Sequence, residues 1–202
     1  MNAPRGRDPS SASEPGAGGR VVSVQTGRPR DLTWSGGTVR TSILRSRRTG
    51  PVPVTPDGLD GDEVGDPSVH GGPRKAVYAY PSEHYRWWAE RLGIDPLPWG
   101  AFGENLTVEG LLEAEVRPGD ILSIGSARLV VTQPRSPCFK LNARFDRPDM
   151  IQQFLAADRP GFYLGVQQTG TLAGGDPIRV TSAEATGPSI LEVFRSRRAT
   201  RG

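Results

Sequence analysis

The sequence predicts a mainly β fold, a closed barrel with a few inserted helices. Three observations carry that expectation. Short apolar runs with partial period-two alternation recur along the chain. Turn chemistry separates them, drawn from 26 glycines and 19 prolines in 202 residues. These residues sit between the runs instead of forming low-complexity stretches, and turns at intervals of about ten residues favour a barrel over a βαβ sheet.

Residues 1–19 are rich in Ser, Pro, Gly and Ala and hold no apolar run, so they read as a disordered tail, neither signal peptide nor membrane segment. The first strand is expected over Arg20–Gln25, ended by Thr26-Gly27, and the second over Thr38–Ile43. Pro51–Val54 follows. A polar stretch from Thr55 to Gly72 then carries dense turn chemistry, Gly58-Leu59-Asp60-Gly61-Asp62 and Val69-His70-Gly71-Gly72, and is expected to be a functional loop or edge.

Ala76–Tyr80 reads as a strand. Ser82–Leu92 reads as a helix, because Tyr85, Trp88, Ala89 and Leu92 share a face and Gly93 suits its C-terminal cap. Asn105–Val108 and Glu113–Val116 are expected as short strands. Asp120–Ile124 and Ala127–Thr132 form a hairpin across Gly125-Ser126, after the turn Arg117-Pro118-Gly119-Asp120. A second helix is expected beyond Pro148, with Met150, Ile151, Phe154 and Leu155 on one face. Phe162–Gln168 and Ile178–Ala183 are strands around Gly174-Gly175-Asp176. Ile190, Val193 and Phe194 mark a last short helix that runs into an arginine-rich tail. The organisation expected is a tail over 1–19, a barrel domain over 20–184, and a short helix with a basic tail over 185–202.

A single cysteine excludes an internal disulfide, so packing must hold the fold, and the chain is expected to be soluble and cytoplasmic. The formal net charge is +3, with arginines clustered at 40–48 and 195–201. Such clusters suit a nucleic-acid patch, simple solvation, or the neutralisation of a small anionic ligand. No aromatic stacking platform accompanies them, so nucleic acid is not the expected partner.

The sharpest local feature is Gln133-Pro134-Arg135-Ser136-Pro137-Cys138-Phe139-Lys140-Leu141, directly after an apolar strand. Two prolines stiffen this turn. Arg135 and Lys140 flank the thiol, and nearby cations favour the thiolate that binds metals or attacks electrophiles. A lone cysteine also suits a small core position. A thiol nucleophile would need a base, and the sequence has two histidines, His70 in a glycine-rich loop and His84 in the first helix. One cysteine and two scattered histidines lack zinc-site spacing.

The segment Gln133–Leu141 resembles the cysteine motif of the MOSC domain family, named after the C-terminal domain of molybdenum cofactor sulfurase. Three further matches occur in order. They are the Gly58–Asp62 and Val69–Gly72 loop, Ala101-Phe102-Gly103-Glu104-Asn105-Leu106, and Arg117–Asp120. Together they are similar to the bacterial YiiM-like branch, over about Val21 to Thr181.

The resemblance implies a MOSC-type β-barrel that binds the molybdenum cofactor, a molybdopterin, with Cys138 as thiolate ligand to the metal. Arg135 and Lys140 would then neutralise the cofactor phosphate, with Arg74 or Lys75 as further candidates. Gly71 and Gly72 would let backbone N–H groups approach, and Asn105 would hydrogen-bond the pterin. Glu104 is a candidate proton donor or a turn-stabilising carboxylate. His70 is a candidate acid/base group or a loop brace. Asp60 and Asp62 read as turn braces. Like the related mitochondrial amidoxime-reducing enzymes, such an oxidoreductase would reduce small N-hydroxylated substrates. No flavin fingerprint or iron–sulfur cysteine set appears, so a separate reductase would supply electrons. The alternative is a cofactor or sulfur carrier without turnover. Oligomeric state is left open.

Overall fold

Runs of Val, Ile, Leu and aromatic residues pair into strands because a pleated surface buries one side of each run. The computed structural model describes residues 16–65, 71–182 and 186–200. Strands β1 (Gly16–Thr26), β2 (Arg30–Trp34), β3 (Gly37–Thr41), β4 (Ser46–Arg48), β5 (Val52–Thr55) and β6 (Gly58–Leu59) come first. A 3-10 turn at Pro73–Lys75, β7 (Val77–Pro81), helix α1 (His84–Leu92), β8 (Leu106–Glu109), β9 (Ile121–Ile124) and β10 (Ala127–Pro134) follow. The chain continues through α2 (Phe139–Phe145), α3 (Met150–Ala157), β11 (Phe162–Gln168), β12 (Gly170–Leu172), β13 (Pro177–Thr181) and α4 (Ile190–Ala199).

The strands β1, β13, β9, β10, β11, β7 and β8 pair in that cyclic order, and the β8–β1 pairing closes the ring. β4 pairs with the far end of β1, β2 and β3 form a separate hairpin, and β12, β5 and β6 form a small second sheet. Every neighbour in the ring is antiparallel except β7 and β8, which run parallel. A parallel pair needs a crossover connection. Here α1 and residues 93–105 provide it, and that crossover delivers the Ala101–Leu106 motif to one end of the barrel. The barrel seam is tight. A Cβ on Gly18 would lie 1.9 Å from the Ile178 carbonyl oxygen, and one on Gly19 2.1 Å from that of Glu109, so glycine permits these approaches.

The barrel interior is filled by Val21, Val77, Ala79, Leu106, Leu122, Leu129, Phe162, Leu164 and their neighbours, all buried. A second core lies outside the ring. In it α1, α2 and α3 gather Tyr78, Tyr80, Tyr85, Trp88, Phe102, Leu141, Met150 and Phe154. The stripe expected on the first helix is present: Tyr85 and Trp88 are buried, and Gly93 caps the helix at φ 67°.

The mainly β barrel with inserted helices is the observed architecture. Some elements differ from expectation. β1 begins at Gly16, so residues 16–19 belong to a strand. Glu113–Val116 is a turn leading out of β8 and not a strand. Its alternation reflects two separate buried roles: Val116 packs in the barrel core, and Glu113 accepts from the Gly161 amide at 2.7 Å. The helix α2 begins directly after Cys138, where the sequence suggested a turn running on to α3. No helix among the described residues is long and apolar enough to cross a membrane.

Candidate functional site

One cleft gathers most of the motif residues. It encloses about 110 Å³ and receives Cys138, Arg135, Lys140, Asn105 and Gly71, together with Lys75, Arg45, Asp62, Ser42, Tyr78 and Tyr163. β10 and the Pro134–Pro137 turn supply one rim, the Gly103–Asn105 crossover the base, and residues 42–45 and 62–65 the opposite wall. A wider groove of about 1010 Å³ lies between α1 and residues 93–99, but none of the motif residues lines it.

Cys138 is partly buried and stands in extended geometry (φ −131°, ψ 170°) immediately ahead of α2. Pro134 completes the β10 ladder opposite Phe162, which anchors the start of the turn in the sheet. Arg135 points inward and is 6% exposed. Its guanidinium donates to the Phe102 carbonyl and stacks 4.7 Å from the Tyr78 ring centroid and 5.6 Å from that of Phe154. Burial works against the Arg135 charge, but Tyr78, Tyr163 and the Cys138 sulfur outweigh it and hold the group above its ordinary value. Arg135 is therefore a fixed buried cation three residues before the thiol. Burial raises the hydroxyls of Tyr78 and Tyr163, so both remain neutral phenols.

Lys140, in the first turn of α2, and Lys75, in the 3-10 turn, are partly exposed and line the cleft. Arg45 is the third cation of the wall. It meets Asp62 in a two-pronged pair, Nε–Oδ1 and Nη2–Oδ2 both 2.8 Å, and also donates to the Gly103 carbonyl. Asp62 in turn accepts from the Gly27 amide at 2.8 Å. This largely buried pair ties three loops into the wall, and breaking one side would cost about 3–5 kcal/mol. Asp62 is thus the brace that the sequence suggested. Gly103 holds φ 75°, and a Cβ there would lie 2.7 Å from Ile43, so the motif glycine is required by both conformation and space.

Two motif residues are engaged within the fold. Glu104 is fully buried and does not line the cleft. Its carboxylate accepts from the Gly100 amide at 2.7 Å, the Phe102 amide at 3.2 Å, Thr107 Oγ1 at 2.9 Å and the Tyr85 hydroxyl. Of the two roles the sequence left open for Glu104, proton donor and turn-stabilising carboxylate, this geometry is that of the second. Asn105 borders the cleft, but its amide is engaged within the fold. Oδ1 accepts from the Tyr78 amide at 3.0 Å and Nδ2 donates to the Gln25 carbonyl at 3.3 Å. It clamps β1 to β7 at the end of the crossover and so shapes the floor.

Gly71 lines the cleft at φ 82°, whereas Gly72, at φ 85°, opens the 3-10 turn and does not line it. His70 lies outside the described residues. His84 is not at the cleft; its Nε2 lies 2.8 Å from Glu113 Oε2. Sequence reasoning did not find Ser42, Arg45, Tyr78 or Tyr163 as site residues. Ser42 Oγ is buried with no hydrogen-bond partner among the described residues. Among the described residues, no three of His, Cys, Asp and Glu group to hold a metal ion unaided. A metal at Cys138 would therefore be held by one protein thiolate and by ligands it brings.

Residues 66–179 match the MOSC domain family. Protein YiiM of Escherichia coli is 39% identical over 168 residues, a match covering 81% of this chain and 69% of that protein. A protein named Reductase from Gibberella moniliformis is 34% identical over 184 residues, covering 90% of this chain but 32% of its own length. The crystal structure of YiiM from Geobacillus stearothermophilus superposes with a TM-score of 0.74 at 34% identity, covering 91% of this chain and 85% of that one.

Proposed function

Because the chain belongs to the MOSC domain family, we propose that it is a cytoplasmic oxidoreductase that holds a molybdenum pterin cofactor at Cys138 and reduces N-hydroxylated compounds. The observation that carries this reading is the placement of Cys138. A soft sulfur ligand stands on a stiff turn, three residues after a buried guanidinium, at the rim of a cleft lined by further cations.

The residues present fit such a group. Cys138 would supply a soft thiolate to the metal of such a cofactor. Lys75 and Lys140 present ammonium groups to an anionic phosphate, and Arg45 adds a guanidinium partly spent on Asp62. Ser42 Oγ, buried and without a partner among the described residues, offers one further polar contact. Arg135 acts through charge, and Asn105 through the backbone it clamps. Gly71 lets the chain pass close to the ligand.

The bound cofactor supplies two-electron redox chemistry, and the protein supplies binding, orientation and a low-dielectric wall. In the overall reaction the N–O bond of a hydroxylamine or amidoxime breaks, oxygen leaves as water, and two electrons and two protons are consumed. Tyr78, Tyr163, Ile43 and Val64 give the cleft an apolar lining that suits a flat, uncharged substrate head. The relative named Reductase has about two thirds of its length outside the match. In this reading the electrons come from a separate reductase.

The test is protein expressed in a cofactor-producing host, as wild type and Cys138→Ser. Wild type is expected to carry near-stoichiometric molybdenum and to reduce 6-hydroxylaminopurine with dithionite and methyl viologen. Cys138→Ser is expected to lose at least about 100-fold in turnover, as removal of a metal ligand does. Full activity in cofactor-loaded Cys138→Ser overturns the ligand assignment. Bound molybdenum without any N–O reduction would instead identify a carrier.

A further inference from the structure

The turn that carries Cys138 borders two cavities. Ser136 and Cys138 line the cleft described above. Ser136 and Pro137 line a second, separate groove of about 270 Å³, whose other walls are Ile151 and Leu155 of α3 and Phe194, Arg197 and Arg198 of α4. Adjacent residues of one stiff turn therefore face the candidate redox site and an open surface groove.

We propose that this groove is the docking surface for a small acidic electron-carrier protein that passes electrons across the Ser136–Cys138 turn. The inference rests on the reductive function proposed above. Its first support is charge. Arg195, Arg197 and Arg198 stand on the exposed side of α4. Two carboxylates stand against them: Asp158, with Arg195 Nε and Arg198 Nη1 each 2.8 Å from it, and Glu192 on α4 itself, which feels the charge of Arg195. Arg197 instead donates to the neutral amide of Gln133 at 3.1 Å. The rim is left with excess positive charge beside an apolar floor of Ile151 and Leu155, both partly exposed. An apolar floor with a charged rim suits a protein surface better than a nucleic-acid backbone, which is held mainly through its phosphates.

The second support is place and size. Electron-transfer encounters use small interfaces and rely on charge steering, which sets on-rate more than lifetime. The groove is small and cationic, and its wall is the residue before the candidate metal ligand. The reductive reading takes its electrons from a separate donor, and the 202 residues hold one cysteine and no flavin fingerprint. Each turnover takes two electrons, delivered by two reduced one-electron carriers. The carriers are oxidised, the N–O bond is broken, one proton is taken up by the nitrogen, and the other joins the departing hydroxyl, which leaves as water.

The test compares wild type, Arg197→Glu and Arg197→Lys, with a plant-type [2Fe–2S] ferredoxin and its NADPH-dependent reductase as the acidic donor. Arg197→Glu is expected to raise the KM for ferredoxin and its directly measured Kd by about tenfold and to flatten their salt dependence. Its dithionite-driven rate and thermal midpoint should match wild type. Arg197→Lys should restore near wild-type affinity. Unchanged KM and Kd in Arg197→Glu, or no ferredoxin binding by wild type at low salt, overturns the proposal. So does duplex DNA binding that Arg197→Glu abolishes while ferredoxin binding persists. Loss of dithionite-driven reduction in wild type would count against the reductase reading alone, because ferredoxin binding to the same protein still decides the groove.

Discussion

Glu104 gathers four donors from its own loop and neighbours, Gly100, Phe102, Thr107 and Tyr85, inside the wall that carries Gly103 and Asn105. A buried carboxylate in that position stabilises geometry, since the Phe102 amide and the Tyr85 and Thr107 hydroxyls would otherwise lose the acceptor they share. Glu104→Ala is therefore expected to destabilise the fold by about 2–4 kcal/mol and Glu104→Gln by about 1–2 kcal/mol, read from denaturant midpoints. Turnover per folded, cofactor-loaded molecule should survive in Glu104→Gln. A variant with wild-type stability and no turnover would return Glu104 to the role of proton donor. Cys138 was legible because local motif, stiff turn and flanking cations sit within one short segment. The Arg45–Asp62 pair was not. Its partners are 17 positions apart, in loops with no periodicity, and only the closed barrel brings them to one wall. Arg135 was legible as a cation near the thiol, but not as a buried one stacked on Tyr78, because the ring comes from a distant strand.

The elements follow the same logic. Strands whose own alternation matches a buried face, such as β5 with Val52 and Val54 inward, were readable from the chain. β2 and β12 were not, because their stability comes from partners and not from an apolar face of their own; β12 pairs with β5 across a long loop. The last helix was readable from Ile190, Val193 and Phe194, and the structure adds its start signal. Ser189 Oγ accepts from the Glu192 amide at 3.2 Å while Glu192 accepts from the Ser189 amide at 2.7 Å, a reciprocal capping box. Ser189→Ala should cost about 1 kcal/mol in unfolding free energy. The backbone and side chain of Ser189 hold the Glu192 carboxyl below its ordinary value, and so does the charge of Arg117 and Arg195. A carboxyl lowered in the folded state contributes stability above its unfolded value of about 4.3 and loses it as pH falls through the folded value. Urea midpoints followed from about pH 6 to about pH 3 should therefore fall less steeply in Glu192→Gln than in wild type. Parallel curves would show that the box does not titrate with folding.

At the scale of the whole molecule, two cores divide the work. The barrel interior fixes the ring, and the aromatic layer under α1, α2 and α3 fixes the cleft against it. Phe102 belongs to the second core, with ring centroids 4.6 Å from Tyr80, 5.2 Å from Trp88 and 5.3 Å from Phe145. Its carbonyl also accepts from Arg135, so the layer reaches the buried cation three residues before Cys138 directly. Leu129 is equally buried but belongs to the barrel. Phe102→Ala should cost about 3–5 kcal/mol and Leu129→Ala about 2–5 kcal/mol, so the two are comparable as losses of packing. They should differ at the site. Molybdenum retained per folded molecule should fall about tenfold in Phe102→Ala, because the support of Arg135 shifts with the loop, and stay near wild type in Leu129→Ala. The comparison is made at temperatures where both variants are folded by circular dichroism. Equal retention in the two would mean that the cleft depends on overall stability alone. Unequal retention in the stated direction would show that the aromatic layer positions the thiol turn while the barrel serves as its frame.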